Sequence, residues 1–324
     1  MKNKLKFTVL IILLLSLTCC GRKTELHFGS GNQEGMYYAY AEQLSSLMNE
    51  DLTLRIRTTT GSAANIRLLQ KGYLDAAIVQ NDNLYETAEA TEDTLGFSAV
   101  GGLYTESMQI LVRSDSDIHS LEDLTGKTIS VGEQDSGTEL NARALLQLHG
   151  IPFEDLNVRY LSLSDAADEL REGHIDALFY TAGAPTQGLS QLAKETSLRF
   201  LSISDEDARR MRNLYPDYVE CVIPAGTYQG QTEDIHTLGV RAVLLVSNSL
   251  DDETVRKLTQ YIFQNAETLR AGIVSEGSYT AAYAAESIRI PFHPGAAAYL
   301  KEQGIEVRTT TNPGSAPVIG GQDD

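Results

Sequence analysis

The sequence predicts an α/β protein of two lobes that close on each other like a clamshell. Thr58–Gln80 reads as a strand end, a turn at Thr60-Gly61-Ser62, a helix, a turn at Lys71-Gly72 and a buried strand. Tyr160–Thr181 repeats that order. Both helix-to-strand junctions follow L-x-x-G-x-(L/I)-D-A, at Leu69…Asp75-Ala76 and Leu170…Asp176-Ala177. Upstream of each repeat stands a short strand feeding a polar, glycine-containing turn and a helix: Leu26–Gly29 with Ser30–Gly35, and Thr128–Gly132 with Glu133–Gly137. These are two β-α-β-α-β units of one design, one per lobe.

A chain of 324 residues with 42% hydrophobic content can fill two such cores. Its 44 acidic residues outweigh 26 basic ones, giving a net charge of −18. No basic face is left to neutralise phosphates, so nucleic acid is excluded as a partner.

The first twenty residues stand apart from the fold. Lys2, Lys4 and Lys6 precede an apolar run, Phe7–Leu17, that is too short to span a bilayer and suits a signal peptide. It ends in Leu17-Thr18-Cys19-Cys20-Gly21, which resembles a lipoprotein processing site. Lipidation is expected on Cys20, with Cys19 the alternative, and would anchor the protein to the membrane. Cys221 is then the one cysteine left in the body, so no disulfide framework is expected.

In order, Leu26–Phe28 is a strand, and a helix over about 36–49 carries Tyr37, Tyr38 and Tyr40 near its start. Leu52–Arg57 is a strand. The helix opened by Thr60-Gly61-Ser62 sets Ser62 and Asn65 on one face. Phe97–Tyr104 and Met108–Arg113 read as separate apolar segments, and the first crossing between lobes is expected at the polar loop Ser114–Asp117. Asp135-Ser136-Gly137-Thr138 starts an amphipathic helix that Gly150 ends. Asn157–Leu161 is a strand, Asp165–Arg171 a helix capped at Ser164-Asp165, and Ile175–Tyr180 a buried strand running into Thr181–Thr186. Strands Arg199–Ile203 and Tyr218–Ile223 flank a helix over Asp205–Asn213. Leu238–Val246 would be the return crossing. Helices are expected over Asp251–Ala271, Ser278–Ala285 and Gly295–Gln303. Residues 21–114 and 238–307 would form one lobe, 115–237 the other, and 308–324 a disordered tail.

Helix starts leave N–H groups without intrahelical partners, and the helix dipole favours negative charge there. Small residues at strand ends let a ligand approach the backbone. The ligand-binding candidates are therefore Ser30, Gly31, Tyr37, Gly61, Ser62, Asn65, Gln80, Ser136, Gly137, Thr138, Ala182 and Gly183, holding a small organic anion. The six histidines are scattered, and no metal-ligand spacing, P-loop or catalytic constellation occurs. No catalytic residue, metal or cofactor is expected. His293 reads as a turn residue, and Asp75 and Asp176 as carboxylates that bond their turns.

Several motifs in fixed order resemble the TAXI solute receptors of TRAP transporters. They are Gly29-Ser30-Gly31 with Gly35 and Tyr37-Tyr38, Thr60-Gly61-Ser62 with Asn65, and Gln80. Gly132 with Ser136-Gly137-Thr138, Asp176-Ala177, and Ala182-Gly183-Ala184-Pro185-Thr186 follow in the second repeat. Tyr215-Pro216, Ile223–Tyr228 and His293-Pro294-Gly295 continue the series. The resemblance implies a type II periplasmic-binding-protein fold with two crossing strands, a ligand such as glutamate or 2-oxoglutarate, and an ion-driven partner of fused TRAP permease subunits. This chain departs from the pattern at Met36, where a hydroxyl is common, and at Asp135, where glycine is common. The alternative is a sensor, the same lobes reporting a bound solute to a membrane signalling partner.

Overall fold

The computed structural model describes residues 24–49, 51–84, 95–271, 273 and 278–309. The expected leader with Cys19 and Cys20, and residues 310–324 of the expected tail, lie outside the described residues.

The first repeat folds as β1 (Thr24–Gly31), α1 (Met36–Leu47), β2 (Leu52–Thr58), α2 (Ser62–Gln70) and β3 (Ala76–Gln80). A long strand, β4 (Phe97–Arg113), leads to the second repeat. That comprises β5 (Thr128–Ser130), α3 (Gly137–Leu148), β6 (Asn157–Arg159), α4 (Leu163–Glu172) and β7 (Ala177–Ala182). There follow α5 (Gln187–Glu195), β8 (Leu198–Phe200), α6 (Asp205–Leu214), β9 (Val219–Ile223) and β10 (Ile235–Ser247). The described chain closes with α7 (Asp252–Gln264), α8 (Ala266–Leu269), α9 (Ala281–Ala285) and α10 (Pro294–Glu302). The expected helix over Asp251–Ala271 is thus two, parted at Asn265.

The strands join in the order β2-β1-β3-β10-β4-β7-β5-β6. Within each repeat the three strands are parallel. β4 and β10 are antiparallel to each other and carry the sheet from one lobe into the other. Helices cover both faces: α1 and α7 pack on one side of the first lobe, α2 and α10 on the other. In the second lobe α3 and α6 oppose α4 and α5. The central strands β3, β4, β7 and β10 are buried on both faces, which is why they read as apolar runs.

β4 corrects the sequence expectation of two segments. It is one strand in which Thr105, Glu106 and Ser107 pair with Arg241, Val240 and Gly239. Its partner changes at Ser107, which also pairs with Ala182 of β7, so the passage between lobes lies inside the strand and not at Ser114–Asp117. Three polar residues sit in the ladder because their backbone bonds are complete and the Glu106 side chain has its own partners.

The repeated aspartates also do something other than expected. Asp75 Oδ2 accepts the His27 N–H at 2.8 Å while the Asp75 N–H donates to the His27 carbonyl at 2.9 Å. Asp176 grips Thr128 in the same two ways, at 2.8 and 2.7 Å. Each therefore fastens the third strand of its repeat to the first, across the sheet and not within the turn. The cap of α4 is Ser162, which accepts the Asp165 N–H at 3.2 Å, rather than Ser164-Asp165. His293 caps α10, its Nδ1 accepting the Gly295 N–H at 3.2 Å. Arg308 and Thr309, expected in the tail, instead pair with Phe292.

Replacing Asp75 or Asp176 by alanine strands one backbone N–H, of His27 or of Thr128, between the first and third strands of its repeat. Each variant should lose about 1–3 kcal/mol of stability in urea unfolding, and the two losses should match within about 1 kcal/mol.

Candidate functional site

The two repeats face each other across a cavity of about 80 Å³ at the C-terminal ends of β1, β3 and β7. Ligand crevices of open α/β sheets occur at such strand ends. From the first lobe, Ser30 and Gly31 end β1, Tyr37 lies at the start of α1, Gly61 and Ser62 open α2, and Gln80 ends β3. From the second lobe, Ser136, Gly137 and Thr138 open α3, and Ala182 ends β7. All ten are among the residues the sequence singled out.

Asn65 and Gly183 are not in the lining. Asn65 is fully buried; its Nδ2 donates to the Ile78 carbonyl and its Oδ1 accepts the Thr59 hydroxyl, both at 2.8 Å. The helix face it shares with Ser62 turns toward β3, so Asn65 is a structural tie. Gly183 lies behind the wall, where an added Cβ would meet Ile273 at 3.1 Å and Met36 at 3.5 Å.

Three helix starts converge on the cavity. α1 follows Gly35 and α2 follows Gly61, and neither N-cap makes a side-chain bond to its helix. α3 is capped by Ser136, whose Oγ accepts the Glu139 N–H at 3.2 Å. Two further hydroxyls fix helix starts to strand ends. Ser62 Oγ accepts the Gln80 N–H and Thr138 Oγ1 the Thr181 N–H, both at 3.1 Å, and the Ser62 hydroxyl also bonds Tyr37. Gly61 takes a φ of +119°, open to glycine, and its Cβ position would touch Ser136 at 3.4 Å. A Cβ on Gly137 would fall 1.9 Å from Gln80 Oε1. Here the lobes meet with no room for a side chain.

The sequence did not single out Glu106, Tyr180 or Thr181, which also line the cavity. Glu106 is 2% exposed, and its Oε2 accepts the Tyr37 hydroxyl at 3.0 Å and Gln80 Nε2 at 2.9 Å. Burial pushes its pKa up to about 8, against the lowering effect of those two bonds. Burial likewise raises the Tyr37 and Tyr180 phenols, which stay neutral. Among the described residues no lysine, arginine or histidine lines the cavity. Among the described residues no cluster suited to a metal occurs.

The lobes are closed on each other. Asn32 Nδ2 donates to Glu133 Oε2 at 3.1 Å, and Arg67 pairs with Asp135 at 3.0 Å. Deeper in, Asp82 Oδ2 accepts Asn141 Nδ2 at 2.6 Å and the Tyr218 hydroxyl at 3.0 Å. Burial raises the Asp82 pKa to about 6.

The chain belongs to the NMT1-like family, matched over residues 28–304. Solved structures are similar in fold at low identity. A protein from Bordetella bronchiseptica RB50 is 16% identical with a TM-score of 0.53, covering 92% of this chain and 86% of that one. A putative L-cystine ABC transporter protein from Listeria monocytogenes is 13% identical with a TM-score of 0.52, covering 79% of this chain and 100% of that one. The fold is the two-lobed type II periplasmic-binding-protein fold that the motifs implied.

Asn65→Ala should cost about 2–3 kcal/mol in unfolding, because it removes the donor to the buried Ile78 carbonyl. Glu106 holds its proton up to about pH 8 when folded, against 4.5 for an ordinary glutamate. Its contribution to stability is therefore complete below about 4.5 and is lost as pH rises to about 8. Melting temperatures across that range should fall more for the wild type than for Glu106→Gln.

Proposed function

We propose that this protein is the extracytoplasmic receptor of a membrane transporter, and that it captures a small carboxylate between its lobes. The observation that carries the reading is the convergence of three helix starts, two without a side-chain cap, on one closed cavity between the lobes. The ligand carboxylate accepts from the N–H groups opening α2 and α3 and from the hydroxyls of Ser62 and Thr138. Each charge–dipole contact contributes about 0.3–1 kcal/mol, more where partly buried. Only the closed form presents both helix starts at once, so ligand favours closure, and the closed form is what a permease would recognise.

The motif series supports a TAXI-type receptor working with fused TRAP permease subunits. The fold does not choose the transporter class, since the Listeria neighbour is described as part of an ABC transporter. The two departures from the motif pattern have physical consequences. Met36 sets a thioether in the cavity wall. Asp135 holds a φ of +63°, where glycine would be unstrained, and uses its carboxylate for the ion pair to Arg67 across the cleft. A lipid on Cys20, or on Cys19, would hold the receptor at the membrane surface.

A thermal-shift screen of small carboxylates tests the reading. Ligand at a hundred times its dissociation constant should add about 2.7 kcal/mol of stability. Gly137→Ala should cut affinity at least about tenfold, since the new methyl must displace Gln80 before the lobes can close. Wild-type affinity in that variant would refute the assigned site.

A further inference from the structure

We infer that Glu106 and Gln80 form a second subsite in the same cavity, one that takes a cationic nitrogen, so that the captured solute is a zwitterion. This rests on the reading of the cavity as a carboxylate receptor and names the other end of its ligand. Beside the helix starts the cavity wall carries acceptors that the described residues leave without donors. Glu106 receives both of its protein donors, Tyr37 and Gln80, on Oε2, and no described residue donates to its Oε1. Gln80 is 3% exposed, spends its Nε2 on Glu106, and has a buried Oε1 with no hydrogen-bond partner among the described residues. Buried polar groups are ordinarily paired, so an unanswered acceptor beside a carboxyl in a ligand cavity calls for a donor from the ligand.

The sign of the missing group follows from charge. Among the described residues the lining holds two acids, Glu106 and Glu133, and no basic side chain. A second carboxylate on the solute would find only the single proton of Glu106 to accept, with the Gln80 Oε1 acceptor and the Glu133 acid set against it. An ammonium offers three donors and a positive charge. It would reach Glu106 Oε1 and Gln80 Oε1 while the carboxylate stays at the helix starts of α2 and α3.

The surroundings of Glu106 make its response to a cation distinctive. The titratable groups facing it are Tyr37 from α1, Tyr104 from its own strand, Tyr180 from β7 and Asp82 from the turn after β3. The phenols are neutral and Asp82 opposes ionisation, so in the free receptor Glu106 keeps its proton at neutral pH. An arriving ammonium reverses that preference, the carboxyl ionises, and its proton leaves to solvent.

Isothermal titration of the purified protein with the twenty amino acids and their desamino counterparts, such as L-glutamate against glutarate and L-alanine against propionate, tests this. At least one amino acid should bind roughly thirtyfold or more tightly than its desamino partner, as loss of one member of a buried charge pair costs. Binding at pH 7 should release about one proton, read from the heats in buffers of different ionisation enthalpy. Glu106→Gln should shrink the preference below about tenfold and abolish the proton release. A desamino acid that binds as tightly as its amino acid overturns the ammonium subsite and leaves the carboxylate reading standing; this is the result expected if protonated Glu106 donates to a second ligand carboxylate. Binding of neither series removes both. If Glu106→Gln fails to fold, the wild-type preference and proton count decide the matter alone.

Discussion

The structure depends on a carboxyl group buried where β4 changes partners. Glu106 lies one residue before the switch from β10 to β7, in a strand with nearly every residue buried. A carboxylate there is costly unless it is protonated or paired. Its Oε2 draws in Tyr37 from α1 and Gln80 from the end of β3, so one oxygen ties the first helix, the third strand and the passage between lobes. The same bonds orient the cavity wall. Tyr37 and Gln80 are thereby held as structural partners of Glu106 as well as lining residues.

Most of this was legible in the sequence where the rules are local. The repeated L-x-x-G-x-(L/I)-D-A junction marks both third strands because helix period, glycine turn and apolar run all fall within one short stretch. Helix starts were legible for the same reason, and they bring Tyr37, Gly61, Ser62, Ser136, Gly137 and Thr138 to the cavity. Glu106 was not, since Thr105-Glu106-Ser107 looks like a polar break between two apolar runs. Its partners lie 26 and 69 residues away, and nothing nearby announces them. Asn65 failed differently. Its spacing from Ser62 is right for a shared face, but which way that face turns is decided by packing on β3. Asp75 and Asp176 were read by turn chemistry, whereas their true partner is the neighbouring parallel strand, invisible until the sheet order is known.

Closure is built on the same helix as the site. α3 begins at Gly137 in the cavity, and Asn141, one turn on, holds Asp82 of the opposite lobe. A helix is stiff over one turn, so an anion drawn to its start and a hydrogen bond to Asp82 act on a single rigid body. Tyr218 adds a second donor to the same carboxylate oxygen. The outer contacts, Asn32 with Glu133 and Arg67 with Asp135, are more exposed and contribute less. Closure is thus weighted toward the deep pair beside the cavity, where it can respond to what the cavity holds.

A protein with a net charge of −18 is an unfavourable partner for an anion at a distance, and the proposed carboxylate site has to work against that charge. The conflict is resolved by range. At physiological ionic strength the field of the whole protein is screened beyond about 8 Å. The dipoles of α1, α2 and α3 act at contact, where they are strongest. A doubly charged anion would still meet repulsion on approach and again at Glu106 and Glu133. A zwitterion carries no net charge to be repelled on the way in. It is sorted only at contact, its negative end by helix starts and its positive end by an acid with no cation of its own. The surface charge, the absence of basic side chains among the described lining residues and the buried glutamate therefore all favour the proposed zwitterion.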